Sequence, residues 1–206
     1  MKTILRGILV VSTLCLLLGG CGTSPASHYY LLSAKTSGQP TGIKPSLGVG
    51  PIEIPEYLNR NAFIYNRDGN KLHIENFERW AEPLDSGIER VLRLNLASLL
   101  NSEDVQAFPW SRSAQPEYGV KVSILSLDAN DRNASLIAEW HLRRPQGNET
   151  IVRRLSELHH SLPPGPIVAA DIAPAYSELL QQLSELIAAA ILEDYAQRKT
   201  EGANRD

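Results

Sequence analysis

Apolar and polar positions alternate along some stretches of the chain and recur at helical spacing in two others. Tyr29-Tyr30-Leu31-Leu32 reads as a short strand rich in β-favouring side chains. Ser33 to Pro45 holds Gly, Ser, Thr and Pro without periodicity and predicts a loop. Leu47 to Ile54 predicts a second strand, with Pro55 ending it and Glu56-Tyr57-Leu58 starting a turn. Phe63-Ile64-Tyr65 and Lys71-Leu72-His73-Ile74 flank Asn66-Arg67-Asp68-Gly69-Asn70, and Asp-Gly between apolar runs signals a hairpin. Then the period changes. Ile88, Val91, Leu92, Leu96, Leu99 and Leu100 recur at helical spacing, with Glu89, Arg90, Arg93 and Ser98 between them. Pro83 suits a first helical turn and Ser86-Gly87-Ile88-Glu89 matches a capping box, so the helix starts between residues 82 and 86 and ends near Asn101.

Four strands follow in this reading. They are Val105 to Trp110, Tyr118 to Leu127, Ala134 to Arg144 and Glu149 to Leu162, with Pro145-Gln146-Gly147-Asn148 as a hairpin turn between the last two. Pro163-Pro164-Gly165-Pro166 is a hard stop. A second helix begins around Asp171, with Pro174 in its first turn. Tyr176, Leu179, Leu180, Leu183, Leu186, Ile187, Ala190 and Ile191 form its buried stripe, which fades by Arg198. The order of strands, helix, strands and helix predicts an α+β fold: an antiparallel or mixed β-sheet with two long amphipathic helices packed on one face.

The front of the chain follows neither pattern. Lys2 and Arg6 precede an uncharged, mostly apolar run from Ile8 to Leu18. That run is about half of the roughly 20 residues a membrane-crossing helix needs, so it reads as a secretory signal peptide. Leu18-Gly19-Gly20-Cys21 resembles the bacterial lipobox, in which a diacylglycerol is attached to the cysteine sulfur and the chain is cut just before it. The cut needs small residues for close approach of the peptidase, and the lipid needs a thiol. The expected organisation is a signal peptide over 1–20, a lipidated tether over 21–28, one domain over 29–198 and a flexible polar tail over 199–206. Cys21 would carry a diacylglycerol and an N-acyl chain such as palmitate. Gly22, where an aspartate would signal inner-membrane retention, favours the outer membrane, periplasmic face.

Composition then narrows the chemistry. The chain has 206 residues, a net charge of −3 and two cysteines. Losing residues 1–20 removes Lys2, Arg6 and Cys15, leaving 18 basic against 23 acidic residues, and lipid consumes Cys21. The mature domain would then carry neither thiol nor disulfide, and its acidity offers no general attraction for nucleic acid. No Gly-x-Ser-x-Gly elbow, Walker loop or His-Glu-x-x-His is present, and no catalytic residue, metal site or non-covalent cofactor is expected. Gly48-Val49-Gly50 runs into Pro51 and reads as a strand kink. His159 and His160 adjoin on a strand and point to opposite faces. His28, His73 and His141 show no acidic or cysteine partner at ligand spacing. Asp128 and Asp131 read as turn chemistry. Arg143-Arg144 and Arg153-Arg154 read as a solvated face paired with Glu139, Glu149 and Glu157, or as a basic patch.

Three segments carry a family resemblance: Tyr29-Tyr30-Leu31-Leu32, Val49-Gly50-Pro51-Ile52-Glu53-Ile54-Pro55-Glu56-Tyr57-Leu58-Asn59-Arg60, and Arg79-Trp80-Ala81-Glu82-Pro83-Leu84 leading into the helix with Asn95-Leu96. Together they resemble the PqiC (YmbA) family, the ABC-type transport auxiliary lipoproteins. The resemblance implies an outer-membrane lipoprotein that accompanies MCE-domain tunnel proteins and their inner-membrane partner system, docks the tunnel and supports envelope integrity. It implies no enzymology. Within it, Trp80, Pro83, Tyr57 and Tyr30 are candidate partner or lipid contacts, and each has an alternative reading as packing. A tunnel with ring symmetry would favour a matching homo-oligomer. The alternatives are a module that encloses an acyl chain itself, and a lipid-tethered periplasmic enzyme.

Overall fold

Residues 25–203 are described by the computed structural model, apart from 37, 69 and 148. The signal peptide, Cys21, the start of the tether and residues 204–206 lie outside the described residues. The elements in chain order are β1 (His28–Tyr30), β2 (Leu47–Glu53), β3 (Ala62–Asp68), β4 (Lys71–Trp80), α1 (Leu84–Leu100), β5 (Val105–Ala107), β6 (Tyr118–Ala129), β7 (Asn133–Arg144), β8 (Glu149–Ser161) and α2 (Ala169–Ala203). The α+β class is as expected, but the strands divide into two sheets. A five-stranded mixed sheet has the order β5-β2-β6-β7-β8, and a three-stranded sheet has the order β1-β4-β3. In the larger sheet β2 runs parallel to both β5 and β6, while β6, β7 and β8 form an antiparallel meander.

The core lies between the larger sheet and the two helices. Along β7, Ala134, Leu136, Ala138, Trp140 and Leu142 are buried at every second position, which is the strand period with one face turned inward. They join Ile88, Val91, Leu92 and Leu96 of α1 and Leu179, Leu183 and Ile187 of α2 in one buried cluster. The kink expected at Gly48-Val49-Gly50 is present. Gly50 has φ +115°, and the β2–β6 register shifts between Val49 and Ile52. A Cβ at Gly48 would lie 2.6 Å from the Trp110 ring, so only glycine lets that indole close over the strand.

Several element ends differ from the expectation. β4 continues past Ile74 to Trp80, because β1 pairs with its far end from His28–Glu78 to Tyr30–Trp80. β5 stops at Ala107, where Pro109 offers no N–H to continue a ladder. Pro83 is the N-cap of α1 rather than a residue of its first turn, and no side chain caps the helix. The capping box is unused because buried Leu84 draws the helix start forward and the Asp85 carboxylate accepts the Ser86 N–H at 2.8 Å. α1 ends as expected, at Asn101 in the left-handed conformation (φ 48°). α2 begins at Ala169, two residues early, since buried Ala169 and Ile172 belong to its apolar stripe, and this places Pro174 in the second turn. It continues through Lys199 to Ala203, so that part of the expected tail is helical, with residues 199–202 exposed.

The loop before β2 is strapped to α1. Asn101 accepts the Thr41 N–H on Oδ1 at 3.0 Å and the Gly42 N–H on its backbone oxygen at 3.1 Å. Buried Asn95 accepts the Lys35 N–H at 2.9 Å and reaches Ser184 of α2 at 3.4 Å. These bonds satisfy a polar group that would otherwise be costly in the core.

Candidate functional site

Trp80 is 5 % exposed at the end of β4. Its ring stacks on Phe63 at 4.2 Å and 25°, and faces Tyr176 of α2 at 6.2 Å and 23°. Tyr30 stands opposite Trp80 in the β1–β4 register and meets Phe63 edge-on at 5.3 Å. The Glu78 carboxylate, through its hydrogen bond with the hydroxyl, pushes Tyr30 up to about 12. Tyr57 is half-buried on a 3-10 turn, Glu56–Leu58, and packs against the core. Burial pushes the Tyr176 hydroxyl well up, and Asp128 and Tyr57 lie near enough to raise it further. Tyr30 and Trp80 therefore belong to the inner side of the small sheet, where they wedge it against α2, and Tyr57 packs against the core from the turn before β3. Pro83 is exposed beside them.

The histidines have acidic neighbours that the sequence reading passed over. His73 pairs with Glu75 at 3.2 Å, His141 with Glu139 at 2.8 Å and His159 with Glu157 at 3.3 Å. Each partner is two residues away on a strand, hence on the same face. His28 pairs with Glu78 across the β1–β4 ladder at 2.9 Å. No group of three or more metal-capable side chains gathers among the described residues. His160 lies away from His159, lining a surface groove of about 560 Å³ with Lys35, Pro174 and Glu178. Asp128 lies in β6 rather than in the turn and accepts the Asn66 N–H of β3 at 2.5 Å and the Ala129 N–H at 2.9 Å; the turn itself is held by Asn130, whose Oδ1 accepts the Arg132 and Asn133 N–H groups at 3.0 Å.

The arginine pairs are divided among partners. Arg144 reaches Glu149 and Asp194, both at 2.5 Å, and Arg153 reaches Glu139 at 2.5 Å. Hydrogen bonds from His141 and Arg153 hold the Glu139 carboxyl below its usual range. Arg154 lies over the Trp140 ring at 5.9 Å. Asp194 also accepts the Tyr118 hydroxyl at 2.7 Å, tying α2 to β6 and β7. Burial first, and Asp194 second, push Tyr118 up to about 12. Arg144 and Arg153 thus serve a paired face, with Glu139 and Glu149 as expected, while Glu157 pairs with His159 instead.

The surface that sequence reasoning missed is the outer face of the small sheet. Tyr29, Leu72, Ile74 and Phe77 are large apolar side chains that remain 42 to 65 % exposed there. The signal was present in the apolar quartet Tyr29 to Leu32. Alternation turns half of such a run outward whenever the other half is inward. No helix among the described residues is long and apolar enough to cross a membrane.

The model of one family matches residues 29–188: the ABC-type transport auxiliary lipoprotein component. Solved structures share the fold. A crystal structure of an uncharacterized protein superposes with a TM-score of 0.67 at 21% identity, covering 81% of this chain and 99% of that one. A protein from Xanthomonas campestris superposes with a TM-score of 0.64 at 12% identity, covering 84% and 99%. No curated protein matches the chain. With the family model spanning the small sheet, the larger sheet and most of α2, the chain belongs to the ABC-type transport auxiliary lipoprotein family, the PqiC (YmbA)-like group.

Proposed function

We propose that this chain is the outer-membrane lipoprotein of an MCE-type intermembrane lipid-transport system. In this reading its acyl chains on Cys21 hold the domain at the periplasmic face of the membrane, and its surface docks the end of the tunnel. The family match over residues 29–188 carries the reading, since that family supplies lipoprotein partners to transport systems. Two features support it. Six residues separate Cys21 from β1, and the seven steps from Cys21 to His28 span at most about 25 Å, which keeps a docked partner close to the bilayer. Gly22 lacks the acidic side chain of an inner-membrane retention signal. The role is adhesive and needs no catalysis, because the work is holding two bodies together.

Enclosure of an acyl chain between sheet and helices is the weaker reading. Leu96, Val120, Trp140 and Leu183 have no accessible surface, and a void wide enough for an acyl chain would give them some. Affinity purification from envelope membranes tests the docking role. Recovery of an MCE-domain protein, lost with Cys21→Ser in cells and restored by the purified domain in vitro, is expected. Failure to recover such a partner under both conditions refutes it.

A further inference from the structure

We infer that the outer face of the small sheet rests on the lipid surface, with Leu72, Ile74 and Phe77 of β4, and Tyr29 beside them, in the headgroup region. This deepens the proposal above and rests on its claim that Cys21 carries lipid.

The register defines the two faces. Tyr30 pairs with Trp80, and both rings turn inward to Phe63 and Tyr176. Tyr29, paired with Arg79, therefore turns outward, while Leu31, beyond the end of β1, lines a groove with Ala170, Ala173 and Pro174 of α2. On the hairpin, Tyr65 pairs with His73 and donates its hydroxyl to Glu75 at 3.0 Å, which is the inner face. Ile64 pairs with Ile74 and Asn66 with Leu72, so these belong to the outer face. Phe77 stands two positions from outward Arg79, and the irregularity between the Ala62–Arg79 and Ile64–Ile74 pairs lets it share a face with Ile74. Ile64 is itself buried, so the exposed apolar surface is that of Leu72, Ile74, Phe77 and Tyr29. A concentration of large apolar side chains on one small sheet face marks an interaction surface.

Two observations choose a membrane as the occupant. The first is the tether. The chain leaves β1, an edge strand of this sheet, and reaches Cys21 within seven residues. A bilayer holding that cysteine is confined to about 25 Å from the sheet edge. The second is charge. The strand's carboxylates turn inward, with Glu75 on Tyr65 and Glu78 on His28. Arg79 lies beside Tyr29 in the register, and Lys71 is exposed at the hairpin end, where both cations can meet lipid phosphates. Tyrosine with aliphatic neighbours and flanking cations suits the membrane–water interface.

Lipid quenching tests this on the full mature protein. Ile74→Cys, Leu72→Cys and, as a control on β8, Leu155→Cys are each labelled with an environment-sensitive fluorophore. The proteins are placed in vesicles of phosphatidylethanolamine and phosphatidylglycerol, with or without headgroup-proximal nitroxide lipid. The expected result is a blue-shifted emission and loss of intensity to the nitroxide at 72 and 74, with neither at 155. Labels at 72 and 74 that behave like the one at 155, whether in water or beneath a second copy of the chain, overturn the inference. The mass of the N-terminal peptide from the same samples reads the anchor separately. A lipidated Cys21 with unquenched 72 and 74 refutes only the face, whereas an unmodified Cys21 refutes the anchor and the face with it.

Discussion

Replacing Trp80 with alanine separates packing from docking at the residue where the two readings compete. The indole is 5 % exposed, so nearly all of its surface is lost from the core when it is truncated. An aromatic of this size buries on the order of 200 Å², which at about 25 cal/mol per Å² corresponds to about 5 kcal/mol of transfer free energy. The stacked contact with Phe63 at 4.2 Å disappears with it. The neighbours belong to two rigid layers, the small sheet and α2, and collapse over the vacancy only in part. We expect a loss of about 3–5 kcal/mol, which for a domain of this size lowers Tm by about 6–20 °C. Trp80→Phe keeps a ring against Phe63 and should lose only about 1–2 kcal/mol. Denaturant unfolding of the purified domain followed by circular dichroism measures both. If Trp80→Ala unfolds at the wild-type midpoint yet no longer captures a partner, the residue is a contact and the packing argument is wrong.

Pro83→Ala offers the contrast, because Pro83 is exposed and caps without a side-chain bond; its unfolding midpoint should move by less than about 0.5 kcal/mol, and a larger loss in the same titration would contradict its placement. Gly50→Ala meets a positive φ of +115° and the Phe108 Cβ at 2.7 Å; thermal melts should show a loss of about 1–3 kcal/mol, and an unchanged Tm would refute the kink. The Tyr118 phenol is raised from 10.0 to about 12, so the fold favours its neutral form. Its contribution to stability is present below pH 10 and is lost as pH rises toward 12. Absorbance at the tyrosinate band should show an ionisation that Asp194→Asn moves to lower pH, and an identical titration in both proteins would rule out the Tyr118–Asp194 contact.

The periodic segments were legible because their cause is local. The stripe from Ile88 to Leu100 is the buried face of α1, and a turn at Pro145–Gly147 lies between β7 and β8 as read. The division into two sheets was not legible, because Leu47 pairs with both Val105 and Tyr118, partners that no window of sequence contains. The length of β4 depends on β1, a strand more than forty residues earlier, closing its far end. Of the candidate contacts, Tyr30 and Trp80 were visible as aromatics, but their direction was set by the register between those two strands. The acidic partners of His73, His141 and His159 were two positions away in plain view. Reading for metal-ligand spacing hid them, whereas reading for strand faces would have found them.

Vesicle capture tests the docking claim most directly. The lipidated protein, with its Cys21 adduct verified by mass, is reconstituted into vesicles and offered a purified MCE-domain tunnel protein. The account predicts that the tunnel protein floats with these vesicles and not with lipid alone. Equal recovery with and without the lipoprotein, or none in either case, would contradict it.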